Sequence, residues 1–116
     1  MAKITIQEKT YSFALRVIAL YRTMVSHNEF VLSKQILKSG TSIGANVEEA
    51  QAGQSRADFL SKMSIASKEA RETRYWLRLI RDSKILGTKD VSLLLAEADE
   101  LVRIISSIVK TTAESK

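Results

Sequence analysis

Between residues 59 and 80, an apolar or small side chain recurs at alternating steps of four and three residues. The members of this seam are Phe59, Met63, Ala66, Ala70, Thr73, Leu77 and Ile80. Such spacing places every member on one face of an α-helix and does not fit the two-residue repeat of a β-strand. The chain of 116 residues has no proline and only four glycines, so it has few of the usual residues of tight turns. The sequence therefore predicts a long helix over 56–83.

The same periodicity predicts three more helices, over residues 6–26, 29–51 and 89–111. The connections between them are short, and consecutive helices on short loops pack antiparallel. A chain of this length is the size of one domain. We therefore expect an all-α fold, an antiparallel up-down-up-down four-helix bundle, in a single domain over residues 1–116.

Polar residues at the predicted helix starts provide capping signals. Thr5 and Glu8 form a capping box, in which each side chain accepts from a free backbone N–H of the other residue. Ser55 is a predicted N-cap for the third helix. Asn28 and Thr88 are predicted N-caps for the second and fourth helices.

The middle of the second helix combines two glycines with three hydroxyl residues, in the segment 39–45. Each interior glycine destabilises a helix by about 1 kcal/mol relative to alanine, so this segment either kinks or is held helical by packing. A phosphate-binding loop would follow a strand and end in lysine and a hydroxyl residue, and this pattern is absent. We favour a close approach of two helices at Gly40, Gly44 and Ala45.

The composition excludes most metal and covalent chemistry. The chain has no cysteine and one histidine, His27, which removes disulfides, thiolate metal sites and cysteine nucleophiles. A di-iron bundle needs a Glu-x-x-His motif on two helices, and this motif does not occur. We therefore predict no catalytic residue, no metal site and no cofactor.

Two glutamates of the third helix, Glu69 and Glu72, share a stripe with Trp76 and other apolar residues. If they are buried, they need partners, because an unpaired buried carboxylate is unfavourable. We favour a polar network, between helices or between subunits, that sets the register, with Asn46, Tyr75 or nearby arginines as partners. An acid–base enzyme is the weaker alternative, because no substrate cleft is indicated.

Five cations recur at steps of three and four residues along the third helix. They are Arg71, Arg74, Arg78, Arg81 and Lys84. They lie one residue beyond the buried seam, which predicts a solvent-facing flank, and Tyr75 and Trp76 beside them offer stacking surface. With the net charge of +5, this row indicates a track for the phosphates of RNA or DNA. The alternative is a solvated face that is partly neutralised by Glu69, Glu72 and Asp82 and by the acidic patch of Glu97, Asp99 and Glu100.

The first, third and fourth helices carry a second apolar stripe beside the first. On the first helix, the two stripes are Tyr11, Ala14, Ile18, Tyr21 and Val25, and Phe13, Val17, Leu20 and Met24. An apolar surface larger than one small bundle can cover usually becomes an interface. The sequence therefore predicts a homo-oligomer, either a closed ring or a dimer. The alternative is a broad face that stays inside one bundle.

The central half of the chain also carries distinctive segments. Residues 37–50 read LKSGTSIGANVEEA, and residues 55–59 read SRADF. The third helix adds IA at 65–66, KEA at 68–70, ET at 72–73 and YWL at 75–77. Together they closely resemble the four-helix-bundle proteins first noticed in intervening sequences of bacterial 23S ribosomal RNA genes. The resemblance covers nearly the whole chain from about Tyr11.

This resemblance implies homopentameric rings with no established biochemical role. The genomic association of the family, and its similarity to a pentameric accessory protein of diversity-generating retroelements, imply contact with nucleic acid. No catalytic residue comes with the resemblance. The family-signature residues of this chain are Asn46, Glu49, Glu69, Glu72, Tyr75 and Trp76. Arg71, Arg74 and Arg78 depart from the family pattern, which often has acidic or apolar residues there.

We therefore predict a non-enzymatic homo-oligomer, a pentamer by resemblance, that contacts structured RNA or DNA through a basic helix face. The alternative is an oligomeric scaffold or adaptor that binds another protein and has no nucleic-acid role. The sequence shows no signal-peptide pattern and no membrane-spanning stretch, so we expect a cytoplasmic protein without a membrane partner.

Overall fold

The computed structural model describes residues 3–115, and these form four α-helices joined by short connections. The helices are α1 (Ile6–Ser26), α2 (Leu32–Gln51), α3 (Arg56–Ser83) and α4 (Ser92–Glu114). α1 packs on α2, α2 on α3 and α3 on α4, while α1 and α4 make a smaller contact than these three pairs. No strand occurs in the described residues, so the predicted all-α four-helix fold is confirmed. Within the same residues, no helix has the length and apolar character needed to cross a membrane.

Two of the predicted caps are present. The Thr5 N–H donates to Glu8 Oε1 at 2.9 Å, and the Glu8 N–H donates to Thr5 Oγ1 at 3.1 Å. The backbone hydrogen bond from Thr5 is the main reason that the pKa of Glu8 lies below its ordinary value. Ser55 Oγ accepts from the Asp58 N–H at 3.1 Å. The bounds of α1 and α3 therefore agree with those predicted.

The predicted start of α2 at residue 29 is wrong, because Asn28 is not an N-cap. Its φ of 62° lies in the left-handed region, and its N–H donates to the Val25 carbonyl, so it ends α1. The Glu29 carboxylate instead accepts from the Ser33 N–H at 2.8 Å. This side chain satisfies a free donor of the first turn, and α2 begins at Leu32.

The fourth helix is also shifted, from the predicted 89–111 to Ser92–Glu114. Thr88 makes no cap; Asp90 Oδ1 accepts from the Ser92 N–H at 2.8 Å. This backbone hydrogen bond is the largest cause that lowers the pKa of Asp90. Lys84, with a φ of 56°, ends α3, and Gly87 takes a second left-handed conformation in the connection. The connection therefore runs three residues longer than predicted.

The core is formed by the helix seams, and the seam of α3 runs through its whole length. Met63, Ala66, Ala70, Thr73, Leu77 and Ile80 are all buried, and Phe59 is half-buried at the first turn. Thr73 is the polar member of this seam. Its hydroxyl lies 2.9 Å from Ser39 Oγ of α2 and 2.7 Å from the Glu69 carbonyl oxygen. Because a buried hydroxyl needs a partner, the contact with Ser39 fixes the register of α2 against α3.

The glycine-rich segment 39–45 is an unbroken part of α2, held by its contact with α1. A Cβ atom at Gly40 would lie 2.8 Å from both γ-carbons of Val17, so only glycine permits this helix separation. A Cβ atom at Gly44 would lie 3.4 Å from Thr10, which is an ordinary contact distance. Ala45 is exposed. Close approach is therefore confirmed at the two glycines and wrong for Ala45.

The two glycines predict opposite responses to alanine. Gly40→Ala should lower the free energy of unfolding by about 1–2 kcal/mol, because overpacking against Val17 outweighs the gain in helix propensity. Gly44→Ala should raise it by up to about 1 kcal/mol, because the propensity gain meets no clash. Urea unfolding followed by circular dichroism measures both. If Gly40→Ala stabilised the protein as much as Gly44→Ala, the close contact would be disproved.

Surplus apolar surface from the predicted stripes is found on α1 and α3 but not on α4, where the exposed Leu93 belongs to neither stripe. On α4, the second stripe is covered within the bundle: Leu95 and Val102 are buried and Val109 is half-buried. The predicted surplus on that helix is therefore wrong, because α4 covers both stripes against its neighbours. On α1 and α3, large apolar side chains remain exposed, namely Tyr11, Leu15 and Ile18, and Ile65, Tyr75 and Leu79.

Candidate nucleic-acid interface

The arginines predicted as a phosphate track lie on the flank of α3 that faces α4. Arg71 Nη2 donates to Ser106 Oγ of α4 at 3.0 Å. Arg74 Nη1 lies 3.6 Å from Asp99 Oδ1, also on α4. The buried seam of α3 determines this direction, because residues one position beyond it lie beside the neighbouring helix rather than in the core.

Towards the end of α3, the row becomes more open. Arg78 is exposed and takes part in none of the ion pairs within residues 3–115. Arg81 Nε donates to the adjacent Asp82 Oδ1 at 2.7 Å, which raises the pKa of Arg81 and lowers that of Asp82. Asp99 raises the pKa of Arg81 further. Lys84 follows the last helical residue in a left-handed conformation, so it leaves the regular row.

Two cations of α4 extend this surface, and the sequence analysis missed them. Arg103 follows Asp99 by four residues, and Lys110 follows Ser106 by four, so all four side chains share one flank of α4. Arg103 and Lys110 are exposed. They give no periodic signal in the sequence, because α4 holds no other cations on that flank. We call the resulting surface the basic face: Arg71, Arg74, Arg78 and Arg81 of α3, with Arg103 and Lys110 of α4.

The basic face is poorly neutralised compared with the opposite side of α4. Against its six cations stand three acidic neighbours: Asp82, Asp99 and Glu114, the last of which follows Lys110 by four residues on α4. Where α4 faces α1, each cation has its own acid: Lys9 Nζ lies 3.1 Å from Glu100 Oε1, and Arg16 pairs with Glu97. The acidic patch that was expected to neutralise α3 therefore contributes Asp99 alone to this face and turns the other two carboxylates towards α1.

An aromatic pair borders the basic face. The rings of Tyr75 and Trp76 meet edge to face, with centroids 5.4 Å apart and planes at 65°. Trp76 is half-buried, and its indole N–H donates to Glu72 Oε2 at 3.1 Å. Tyr75 is 51% exposed. The predicted stacking surface therefore consists of Tyr75, while Trp76 supports it from the side.

Within one chain, the signature polar residues do not form an interhelix network around Glu69 and Glu72, and a network between subunits stays a prediction. Asn46 Nδ2 donates within α2, to the Ser42 carbonyl at 2.9 Å and to its hydroxyl at 3.0 Å. Glu72 is half-buried and takes its hydrogen bond from Trp76, on its own helix. Glu49 alone reaches across helices, with Lys62 Nζ 2.8 Å from its Oε1. The register is set instead by the buried hydroxyl contact between α2 and α3.

Neither Glu69 nor Glu72 lines a main cleft on the surface of the described residues. A cleft of about 300 Å³ between α1 and α4 is lined by Lys9, Arg16, Glu97 and Glu100, whose charges are paired across it. Glu69 and Glu72 lie on another side of the bundle, next to α2. In residues 3–115, no group of three or more histidine, cysteine or acidic side chains is placed to hold a metal ion.

Comparison with known proteins agrees with this architecture. A family model described as 23S rRNA-intervening sequence protein matches residues 2–107. The chain is also similar to a crystal structure of a protein of unknown function from the S23 ribosomal protein family of Bacteroides thetaiotaomicron. The two chains are 44% identical with a TM-score of 0.87, over 91% of this chain and 99% of the other. Among curated proteins, none matches the chain.

Proposed function

The chain belongs to the 23S rRNA-intervening sequence protein family, and on that basis we propose that it is a non-enzymatic homo-oligomer that holds structured RNA or DNA by its phosphates. The observation that carries the proposal is the basic face, where six cations on two adjacent helices stand against three acids. Phosphate contacts of this kind supply affinity without reading a sequence. A structured RNA and a DNA duplex both meet this requirement.

The electrostatics support binding rather than stabilisation as the role of these arginines. Exposed ion pairs contribute about 0–1 kcal/mol to stability, and Arg78 has no such pair in the described residues. Six cations on one surface repel each other, and an approaching phosphate backbone relieves that repulsion. The basic face therefore fits an external polyanion better than any contact inside the bundle.

Two different apolar surfaces support the homo-oligomer. Tyr11 of α1 lines a groove against α2 that includes Thr41 and Ala45, and the exposed residues Leu15 and Ile18 follow Tyr11 at steps of four and three on the same side of α1. The exposed residues Ile65 and Leu79 of α3 lie on the flank of Lys62, which also faces α2. An interface between two unlike surfaces is heterologous, and it forms a ring when the rotation between subunits closes. The count of five subunits comes from the family resemblance.

Reversing charge on the basic face should abolish much of the binding. The variant Arg74→Glu/Arg78→Glu should reduce the slope of log Kobs against log salt by about 2, because each lost phosphate contact removes about 0.9. Fluorescence anisotropy of a labelled RNA hairpin and a DNA duplex across a salt series measures this slope, with protein freed of nucleic acid.

The matched control is Lys34→Glu/Lys38→Glu, which makes the same change in net charge at the same four-residue spacing on exposed positions of α2. It should keep the slope of the wild type. Equal losses in both variants would show that net charge alone matters and would contradict a basic face. No binding of the wild type at low salt would reject the nucleic-acid role and favour the adaptor that binds a protein through the apolar surfaces.

A charge placed on the α1 surface should dissociate the oligomer. Leu15 is 52% exposed within one chain, so Leu15→Glu should leave the bundle folded and reduce the particle to the 13.0 kDa of one chain. Light scattering after size exclusion measures the mass, and circular dichroism checks helix content. Leu93→Glu is the control, because Leu93 is 67% exposed on α4, outside both apolar surfaces. A wild-type mass of one chain, or an oligomer that survives Leu15→Glu, would contradict this interface.

A further inference from the structure

Tyr75 stands between two arginines of the basic face. Arg71 precedes it by four residues and Arg78 follows it by three, so both are its neighbours on the surface of α3. The two arginines are about 10 Å apart along the helix axis, at a rise of 1.5 Å per residue. Tyr75 lies between them with half of its side chain exposed. The ring is therefore placed where a nucleic-acid strand that contacts both arginines would pass.

The position of the Tyr75 ring is supported by its neighbours. Trp76 meets it edge to face, and the indole is tied in turn to the Glu72 carboxylate. An edge contact covers less of a ring than a stacked contact, so aromatic surface remains open to solvent. A supported, open ring loses little conformational freedom when a flat group stacks on it.

Other exposed aromatic rings have no such surroundings. Tyr11 has Gln7 and Glu8 one turn before it and Ala14 and Leu15 one turn after it, without a cation. Phe30 is in the connection between α1 and α2, away from the α3–α4 side. Among the exposed aromatic residues of 3–115, Tyr75 is the one that lies between two arginines on one helix face.

We propose that Tyr75 stacks on an unpaired base while Arg71 and Arg78 contact phosphates on either side of it. This inference rests on the nucleic-acid contact proposed above and specifies its ligand: a single-stranded segment, including the loop of a folded RNA. Inside a duplex both faces of a base are covered by neighbouring bases, whereas an unpaired base offers a face to an aromatic ring. The arginines supply affinity along the backbone, and Tyr75 selects unpaired nucleotides.

The test compares three labelled probes by anisotropy at one salt concentration: a 15-nucleotide single strand, the duplex of the same sequence, and a strand of that length with abasic sites at its centre. Tyr75→Ala should weaken binding of the single strand about 5- to 150-fold, which corresponds to the usual loss of about 1–3 kcal/mol per stacked base. It should change binding of the duplex and of the abasic strand less than about twofold. Tyr75→Phe should bind all three probes like the wild type, because it keeps the ring.

Phe30→Ala is the matched control, because Phe30 has the same 51% exposure as Tyr75 and lies off the basic face. It should leave all affinities unchanged. The inference is overturned if Tyr75→Ala binds the single strand like the wild type, if Tyr75→Phe is as weak as Tyr75→Ala, or if the abasic strand loses as much affinity.

The oligomeric mass of each variant separates stacking from assembly. Leu79, which follows Tyr75 by one turn, belongs to the apolar surface of α3, so a mass change in Tyr75→Ala would place the ring in the subunit interface and overturn the inference. A different result would reject the nucleic-acid contact itself: none of the probes would bind the wild type at low salt. Duplex binding that persists while Tyr75→Ala has no effect rejects the stacking role alone.

Discussion

Burial of one seam on α3 determines where every other side chain of that helix points. The seam is apolar except for Thr73, whose contact with Ser39 prevents α3 from sliding along α2. With the seam fixed, the arginines one position beyond it lie beside α4, and the stripe on the other flank lies beside α2. The close contact of Gly40 with Val17 holds α1 on the other side of α2. The surfaces of the bundle follow from these contacts.

Three outer sides of the bundle differ in chemistry. Apolar side chains of α1 and α3 border α2, cations accumulate between α3 and α4, and paired ions lie between α4 and α1. Such a separation lets one bundle meet two kinds of partner at once. Subunits can associate through apolar surface near α2 while the cations stay available for phosphate, because assembly does not have to bury an unpaired charge. Tyr75 lies at the border of the two regions.

Much of this fold can be predicted from the sequence, because its strongest signals are periodic. The seam of α3 and the Thr5–Glu8 capping box depend on neighbours along one helix, and the glycine contacts with α1 are indicated by two small residues four apart within α2. The starts of α2 and α4 could not be predicted from single residues, because Glu29 and Asp90 cap from outside the positions that the usual rule indicates. A cap of this kind depends on the path of the connection.

The candidate site likewise combines features that the sequence predicts with features that depend on helix packing. The arginine row of α3 was visible as a repeat, but Arg103 and Lys110 join it only through antiparallel packing, which no local pattern records. The network expected around Glu69 and Glu72 does not form within one chain, because Asn46 finds acceptors on its own helix. The location of binding is best tested by modifying lysines with an amine-reactive reagent, with and without saturating nucleic acid, and reading each site by mass spectrometry. The account predicts severalfold slower modification of Lys110 and unchanged rates at Lys34 and Lys38, whereas protection of Lys34 and Lys38 with Lys110 still reactive would contradict it.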